Sequence, residues 1–297
     1  MKRIIIGGML LTAFGLSTPK ADAQDFAIKA YDNLGLGKAM STTNAQPGQT
    51  SKSNFNAFGI DFGYTFWRGK NMWLEANLGV GYSAVSSKFS IPELSYHYSA
   101  PANADEDGNP YERYYELSDL SQKGTLGYVN IPIYLQYEYK PLKWLGIYAN
   151  AGVTLGFRCY NSVGTASGQA YAYGVFPEYD DLLIDEPYLD DFGERYINGS
   201  GGKANANGFA ASVVCGAGFE FYTYEPVSFV VGIQYNQGLT HSYKGNFDIT
   251  SPSEYTADTA PVTYTVAGGT QVKPLSDYVT KSRLAPLTLH MGVNVRF

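Results

Sequence analysis

The chain has 297 residues, a formal net charge of -6 at pH 7 and a mean hydropathy of -0.20. This acidic balance argues against nucleic-acid binding, because phosphate backbones attract basic surfaces. The chain has no apolar run of about 18 residues, which excludes a membrane-spanning helix. Its 33 Gly, 26 Tyr and only 16% charged residues are typical of a membrane β-barrel with aromatic girdles rather than of a soluble enzyme.

Residues 1–23 are predicted to be a secretory signal peptide. A basic pair follows the first residue, residues 4–16 form an apolar core too short to span a bilayer, and residues 21–23, Ala-Asp-Ala, match a cleavage site. We therefore expect residues 24–297 to form the exported barrel domain.

Eight downstream segments alternate apolar and polar residues, which indicates β-strands with two different faces. These segments are 26–37, 54–66, 72–85, 124–139, 144–158, 208–222, 228–240 and 285–297. Long and short connections alternate strictly between them, beginning with a long one. The long connections are 38–53, 86–123, 159–207 and 241–284. This order predicts an all-β fold, a transmembrane up-and-down antiparallel β-barrel of eight strands, with both termini periplasmic and long extracellular loops.

Charged residues fall on one parity of each strand, and this parity should face the lumen. A charge at mid-bilayer on the lipid face costs about 2–4 kcal/mol. The predicted lumen charges are Lys29, Asp61, Glu75, Glu138, Arg158, Glu220, His290 and Arg296. We interpret them as a salt-bridged plug, because side chains just fill a barrel of this size and buried charges need partners. Five of them lie near the periplasmic ends of their strands, and we expect these five to close the barrel toward the periplasm, with Arg296 as the most connected member: Lys29, Glu75, Glu138, Glu220 and Arg296. A gated ion path is the alternative.

Asp32 does not fit this assignment. It shares the parity of Phe26, Ile28 and Leu34, which directs a carboxylate toward lipid. Either the first strand is irregular at this residue or its predicted boundary is misplaced.

Two strands carry recognisable motifs. The fourth segment contains Tyr128-x-x-Ile-Pro-x-x-Leu-x-Tyr137 after a long connection, and this strand resembles the PorT-like outer-membrane barrel family of Gram-negative bacteria. The last segment alternates without a break to Phe297, which resembles the closing strand of outer-membrane barrels. The resemblance implies an outer-membrane location, Phe297 as an assembly signal, and outer-membrane lipid and the barrel assembly machinery as partners.

The long connections are rich in tyrosine. Tyrosines among Ser, Gly and Asn have the composition of adaptable binding loops. The candidate binding residues are Tyr114, Tyr115, Tyr171, Tyr173 and Tyr179, and an extracellular protein or glycan is the expected partner. The alternative is that the loops pack on one another as an outer cap.

A surface interaction or structural protein is therefore the leading function, and a narrow channel for small solutes or ions is the alternative. A distant alternative is a lipid-modifying esterase, because His97-Tyr98-Ser99 matches a His-x-Ser pair found in some small barrels. We expect His97 to lie within a loop and no second motif supports catalysis, so no enzyme, cofactor or metal is predicted. Asp258-Thr259-Ala260 resembles a bacterial O-glycosylation signature, which makes Thr259 a candidate acceptor.

Overall fold

A computed structural model of the protein describes residues 26–44, 49–98, 111–164, 166–176, 182–184, 193–198, 202–224, 226–243, 262–265, 269–272 and 279–297. The predicted signal peptide, Tyr179 and Thr259 lie outside these ranges. Among the described residues there is no helix of the length and hydropathy needed to cross a bilayer.

The described residues form fifteen β-strands. They are β1 (Phe26–Gly35), β2 (Met40–Asn44), β3 (Thr50–Arg68), β4 (Met72–Tyr98), β5 (Glu112–Leu142), β6 (Leu145–Val163), β7 (Ser167–Phe176), β8 (Leu182–Ile184), β9 (Gly193–Asn198), β10 (Phe209–Tyr224), β11 (Val227–Gly238), β12 (Val262–Thr265), β13 (Gly269–Val272), β14 (Val279–Leu284) and β15 (Leu287–Arg296).

Eight of these strands close into an antiparallel ring in the order β1-β3-β4-β5-β6-β10-β11-β15. They correspond to the eight alternating segments, so the predicted barrel is confirmed. At the seam the Phe297 amide donates to the Phe26 carbonyl at 2.9 Å, and the Phe26 amide donates back at 3.2 Å. The tight connections 69–71 and 143–144 lie at this same end, here named the turn end. The opposite end is named the loop end.

The outward face of the ring is apolar along every strand. On β3, for example, Phe58, Phe62 and Phe66 are all about half exposed or more, whereas Asp61 and Thr65 between them are buried. The same alternation holds on the neighbouring strands. A surface that exposes this much contiguous apolar area is expected to contact lipid.

Asp32 lies on this outward face within a regular strand. It is exposed, and it stands opposite Phe58 on β3 and Met291 on β15 with no register shift on either side. The strand is therefore regular at Asp32, and it ends at Gly35, two residues before the predicted boundary. Asp32 is close to the loop end of β1, where an outward charge costs only about 0–1 kcal/mol.

The predicted long loops contain much regular structure. β4 and β5 continue as one hairpin far beyond the barrel, so the loop predicted at 86–123 is wrong for its described residues. β7 adds to β5, and β8 and β9 add to β7. Together these strands form a sheet above the loop end, here named the sheet extension. β2 and β14 pair across two other predicted loops.

The inward and outward faces of the hairpin exchange where the sheet extension begins. The register of β4 and β5 passes from Ile91↔Leu120 to Glu93↔Ser118 and skips Pro92 and Asp119. Asp119 has a φ of 51°, a left-handed conformation that Asp tolerates better than most residues. In the pairing of β5 with β7 the register shifts at this place, between Ser118 and Ser121, and Leu117 and Leu120 are both buried although their parity differs.

Candidate functional site

Five ionic side chains meet inside the turn end of the barrel, and they are named the charge cluster: Lys29, Glu75, Glu138, Glu220 and Arg296. Arg296 donates from Nη1 to Glu75 at 2.9 Å and from Nη2 to Glu138 at 3.0 Å and Glu220 at 3.2 Å. Lys29 pairs with the other oxygen of Glu75. The three glutamates are 0% exposed and Arg296 is 6% exposed. Arg296 therefore forms ion pairs with three carboxyl groups that have no access to solvent, and Lys29 supplies the second positive charge of the cluster.

Neutral donors complete the coordination of the glutamates. Tyr222 donates to Glu138, and Ser228 donates to Glu220. Asn294 also donates to Glu220, at 2.9 Å. The Arg296 guanidinium lies 5.1 Å from the centre of the Trp73 ring, within range of a cation–π interaction.

Glycines on the inward face provide the space that these buried carboxylates occupy. A Cβ at Gly63 would lie 2.6 Å from Glu75 Oε1, and a Cβ at Gly146 would overlap the Glu138 carboxylate. Higher in the barrel, Gly59 and Gly81 accommodate the Tyr31 hydroxyl in the same way. This pairing of a glycine on one strand with a large polar residue on the next was a signal in the sequence, but partners can be assigned only once register is known.

Gly63→Ala should lower the free energy of unfolding by about 1–3 kcal/mol, because the added methyl group displaces the Glu75 carboxylate. Urea unfolding of the refolded barrel measures this change. Gly37→Ala is the matched control, since a Cβ there meets nothing within 4 Å. Equal stability of the two variants would contradict the steric role assigned to Gly63.

The structure separates the other predicted lumen charges from the charge cluster. Asp61 lies beside it, opposite Lys29 in register, and accepts a hydrogen bond from Tyr134 at 2.6 Å. His290 lies further up the barrel, with Nδ1 2.7 Å from Asn33 Oδ1. Arg158 is at the loop end, where it donates to the Ala206 carbonyl. Arg158 and His290 therefore lie apart from the charge cluster, because residues that share the inward face can differ in height along the barrel.

A cavity of about 50 Å³ lies above the charge cluster. Its lining is mostly polar and includes Asp61, Asn130, Asn150, Gln234 and His290. A water molecule needs about 10–15 Å³ of such space, so the cavity has room for only a few waters. The middle of the lumen is therefore a small polar chamber rather than a continuous passage.

Apolar side chains fill the loop end of the lumen and form what is named the apolar cap. Its members are buried and come from the ring, the sheet extension and residues 202–243: Phe55, Val85, Phe89, Ile91, Leu117, Leu120, Leu126, Tyr128, Ala204 and Tyr243. Phe89 packs edge-on against Tyr243 with ring centres 5.4 Å apart. Burial raises the pKa of Tyr243 to about 12, so this residue stays neutral in the cap. The lumen is thus closed at both ends.

The outward face of the sheet extension carries tyrosines and carboxylates in register. Tyr114 stacks on Tyr173 with ring centres 5.1 Å apart and planes at 5°, and Tyr171 is 5.6 Å from Tyr173. In the next row Glu116, Tyr171 and Glu194 stand side by side across β5, β7 and β9. These residues, with Glu112, are named the tyrosine face. Burial and the adjacent Glu116 raise the pKa of Tyr173.

Three of the five predicted loop tyrosines therefore come together on the tyrosine face. Tyr115 lies between Tyr114 and Glu116 on β5 and has the opposite parity. Tyr111 is buried against Phe176, with ring centres 5.0 Å apart. The tyrosine face and the side chains packed into the cap thus lie on opposite faces of one sheet, and binding by the tyrosines stays a prediction.

His97 stands at the end of strand β4, so its predicted loop position is wrong, whereas Ser99 lies outside the described residues. In the described part of the chain there is no group of three or more His, Cys, Asp or Glu that suits a metal ion. The expected absence of enzyme activity and of a cofactor stays a prediction, as does the assembly role of Phe297.

No curated protein matches the chain. Among solved structures it is similar to Ail of Yersinia pestis, with 9% identity, 92% of this chain and 98% of that chain covered, and a TM-score of 0.28. The outer membrane protein AlkL shares 11% identity, with 96% of this chain and 97% of that chain covered and a TM-score of 0.30. An outer membrane channel from Pseudomonas putida F1 shares 7% identity, with 95% of this chain and 100% of that chain covered and a TM-score of 0.28.

Residues 23–244 match the family described as "Outer membrane protein beta-barrel domain". This match covers most of the chain and places the protein in the cell outer membrane. The finer resemblance to PorT-like barrels stays a prediction. The chain belongs to the outer membrane protein beta-barrel domain family.

Proposed function

We propose that this protein is a closed outer-membrane barrel that binds a cationic protein segment on the tyrosine face. The observation that carries the proposal is the in-register array of stacked rings and carboxylates on a sheet that stands clear of the barrel. In the proposed orientation the turn end and both termini face the periplasm and the loop end faces outward, as is usual for barrels with short periplasmic turns.

The chemistry of the face favours a positively charged partner. Glu112, Glu116 and Glu194 supply the charge, and the faces of Tyr171 and Tyr173 suit cation–π contacts with Arg or Lys. The sheet holds these groups in fixed positions, which lowers the entropy lost on binding compared with a flexible loop. The apolar cap beneath stabilises the sheet.

A solute channel is the second candidate, and the lumen gives it less support. A path through the barrel would have to pass the charge cluster, the small polar chamber and the apolar cap. Lipid hydrolysis rests on His97 and Ser99 alone. Steady conductance of the wild-type protein in a planar bilayer would favour the channel instead.

The proposed function is tested by titrating the refolded barrel with a fluorescent oligoarginine peptide. The wild type should bind it in a salt-dependent manner, and Tyr173→Ala with Glu116→Gln should weaken binding by roughly five- to thirtyfold, since a ring contact and an ion pair each contribute about 0.5–1 kcal/mol. Tyr160→Ala is the control, because Tyr160 is an exposed tyrosine on β6 below the sheet extension. An equal loss of peptide binding in Tyr160→Ala would contradict specific binding at the tyrosine face.

A further inference from the structure

Three lysines stand side by side on the outer surface near the loop end. Lys52 on β3 is directly opposite Lys88 on β4, and Lys88 is directly opposite Lys123 on β5. All three are exposed and share the outward face of the ring. They are named the lysine row. Opposed residues in antiparallel strands have Cβ atoms about 4.5–5.5 Å apart, so three positive charges are crowded together.

The lysine row has no carboxylate at the adjacent positions of its own face. Along the strands these positions are uncharged: Thr50, Asn54, Ser86, Ser90, Ser121 and Thr125. Like charges that stand opposite each other destabilise a sheet. The row is therefore unfavourable in the isolated barrel, and an anion bound from outside would reverse this effect.

The height of the lysine row above the membrane limits which anions can reach it. The last large apolar residues below it are Phe58, Tyr82 and Val129, which are also opposite one another. From these residues to the lysines the strands run about 20 Å, or about 15 Å along the membrane normal for strands tilted by about 40°. Phospholipid headgroups extend only about 5–8 Å beyond the hydrocarbon. The row therefore lies above a phospholipid headgroup layer.

The residues between the apolar band and the row are neutral and can form hydrogen bonds. Asn54 and Asn56 are exposed on β3, and Ser86 is exposed on β4. Moving outward, the surface is thus apolar, then neutral and polar, then cationic. A glycolipid whose sugars carry phosphate or carboxylate groups has the same three layers, in the order acyl chain, sugar hydroxyl and anion.

We propose that the lysine row binds the anionic saccharide headgroup of an outer-leaflet glycolipid. In this arrangement the lysines contact the charged groups on the sugars, Asn54, Asn56 and Ser86 contact sugar hydroxyls, and the band that ends at Phe58 and Tyr82 contacts the acyl chains. The site is on the barrel wall, separate from the tyrosine face. It rests on the proposed orientation with the loop end outside.

The test compares the wild type with the triple variant Lys52→Gln/Lys88→Gln/Lys123→Gln, both folded in detergent. Lipopolysaccharide is titrated at low and at high salt. The wild type should bind it, and the triple variant should bind about tenfold more weakly and with a smaller salt dependence. The triple variant should also be at least as heat-stable as the wild type without lipopolysaccharide, because like-charge repulsion is removed.

The control variant removes the same charge at the turn end, with Arg68→Gln, Lys70→Gln and Lys143→Gln, and should bind like the wild type. Equal binding by all three proteins would overturn the proposal. A competition experiment distinguishes a saccharide headgroup from free phosphate as the ligand. A soluble phosphorylated disaccharide should displace lipopolysaccharide, whereas inorganic phosphate at the same concentration should not. Equal displacement by phosphate would make the row a general anion patch and overturn the glycolipid assignment.

A separate experiment tests only the orientation. Lys88→Cys, in a background with Cys159→Ser and Cys215→Ser, should react with a membrane-impermeant thiol reagent on intact cells. Lack of labelling, with lipopolysaccharide binding by the wild type in detergent, would overturn the orientation and with it the membrane role of the row. Labelling of Lys88→Cys, without lipopolysaccharide binding by the wild type, would overturn the row alone and leave the proposed function standing.

Discussion

Arg296→Ala should lower the free energy of unfolding of the barrel by about 3–5 kcal/mol. The change leaves Glu75, Glu138 and Glu220 buried without their shared cation, and removal of one partner from a buried ionic group carries a penalty of this size. The measurement is the temperature at which the folded band shifts on a gel, together with urea unfolding. Arg296→Lys should be intermediate, because an ammonium cannot replace the planar guanidinium fork.

Arg283→Ala is the control for this effect, since Arg283 is exposed at the loop end. Planar-bilayer recordings add a second readout. Both the wild type and Arg296→Ala should be silent, because the apolar cap still closes the other end of the lumen. Wild-type stability of Arg296→Ala would contradict the role of the charge cluster, and current through this single variant would show that the cap is not a seal.

Phe89→Ala should also lower the free energy of unfolding by about 3–5 kcal/mol, in this case because apolar packing is lost. Phe89 is 1% exposed and packs against Tyr243, so its removal opens a cavity in the centre of the apolar cap. Hydrogen exchange should rise in β7 and in residues 202–206, which rest on the cap. Exchange in the ring near the turn end should change little, since the cap and the charge cluster stabilise opposite ends.

Phe62→Ala is the matched control for Phe89→Ala. Phe62 is 57% exposed on the outward face of β3 and contacts lipid or detergent instead of protein. Its loss should therefore change stability by much less than that of Phe89. Similar losses for the two variants would mean that the cap is loosely packed and does not stabilise the sheet extension.

The strand pattern by itself determined the barrel and the face of each strand. A period of two is a local property of the chain. Leu78 and Val80 can therefore be assigned to the outward face, and Glu75 and Asn77 to the inward face, without knowing which strands lie beside them. The tight connections determined which strand ends meet. Together these two local signals placed Lys29 and Arg296 near three glutamates at one end of the lumen.

The tertiary structure decided which inward side chains are in contact. Parity assigned Arg158 and His290 to the inward face, but only the register of the strands shows that they bond to Ala206 and Asn33, further up the lumen than the charge cluster. The sequence did not predict the sheet extension. The left-handed residue Asp119 exchanges the two faces of the β4–β5 hairpin, so the alternation of the barrel strands does not continue in phase into the extension.

The lysine row is the clearest case. Lys52, Lys88 and Lys123 are far apart in sequence, and nothing local to any of them marks it as a neighbour of the other two. They meet because the tight turn at 69–71 sets the register of β3 and β4, and the long hairpin of β4 and β5 brings Lys123 opposite Lys88. The sequence determines which way a side chain points from its own backbone, but which side chain it meets depends on the shear of the whole barrel, a property no single strand possesses.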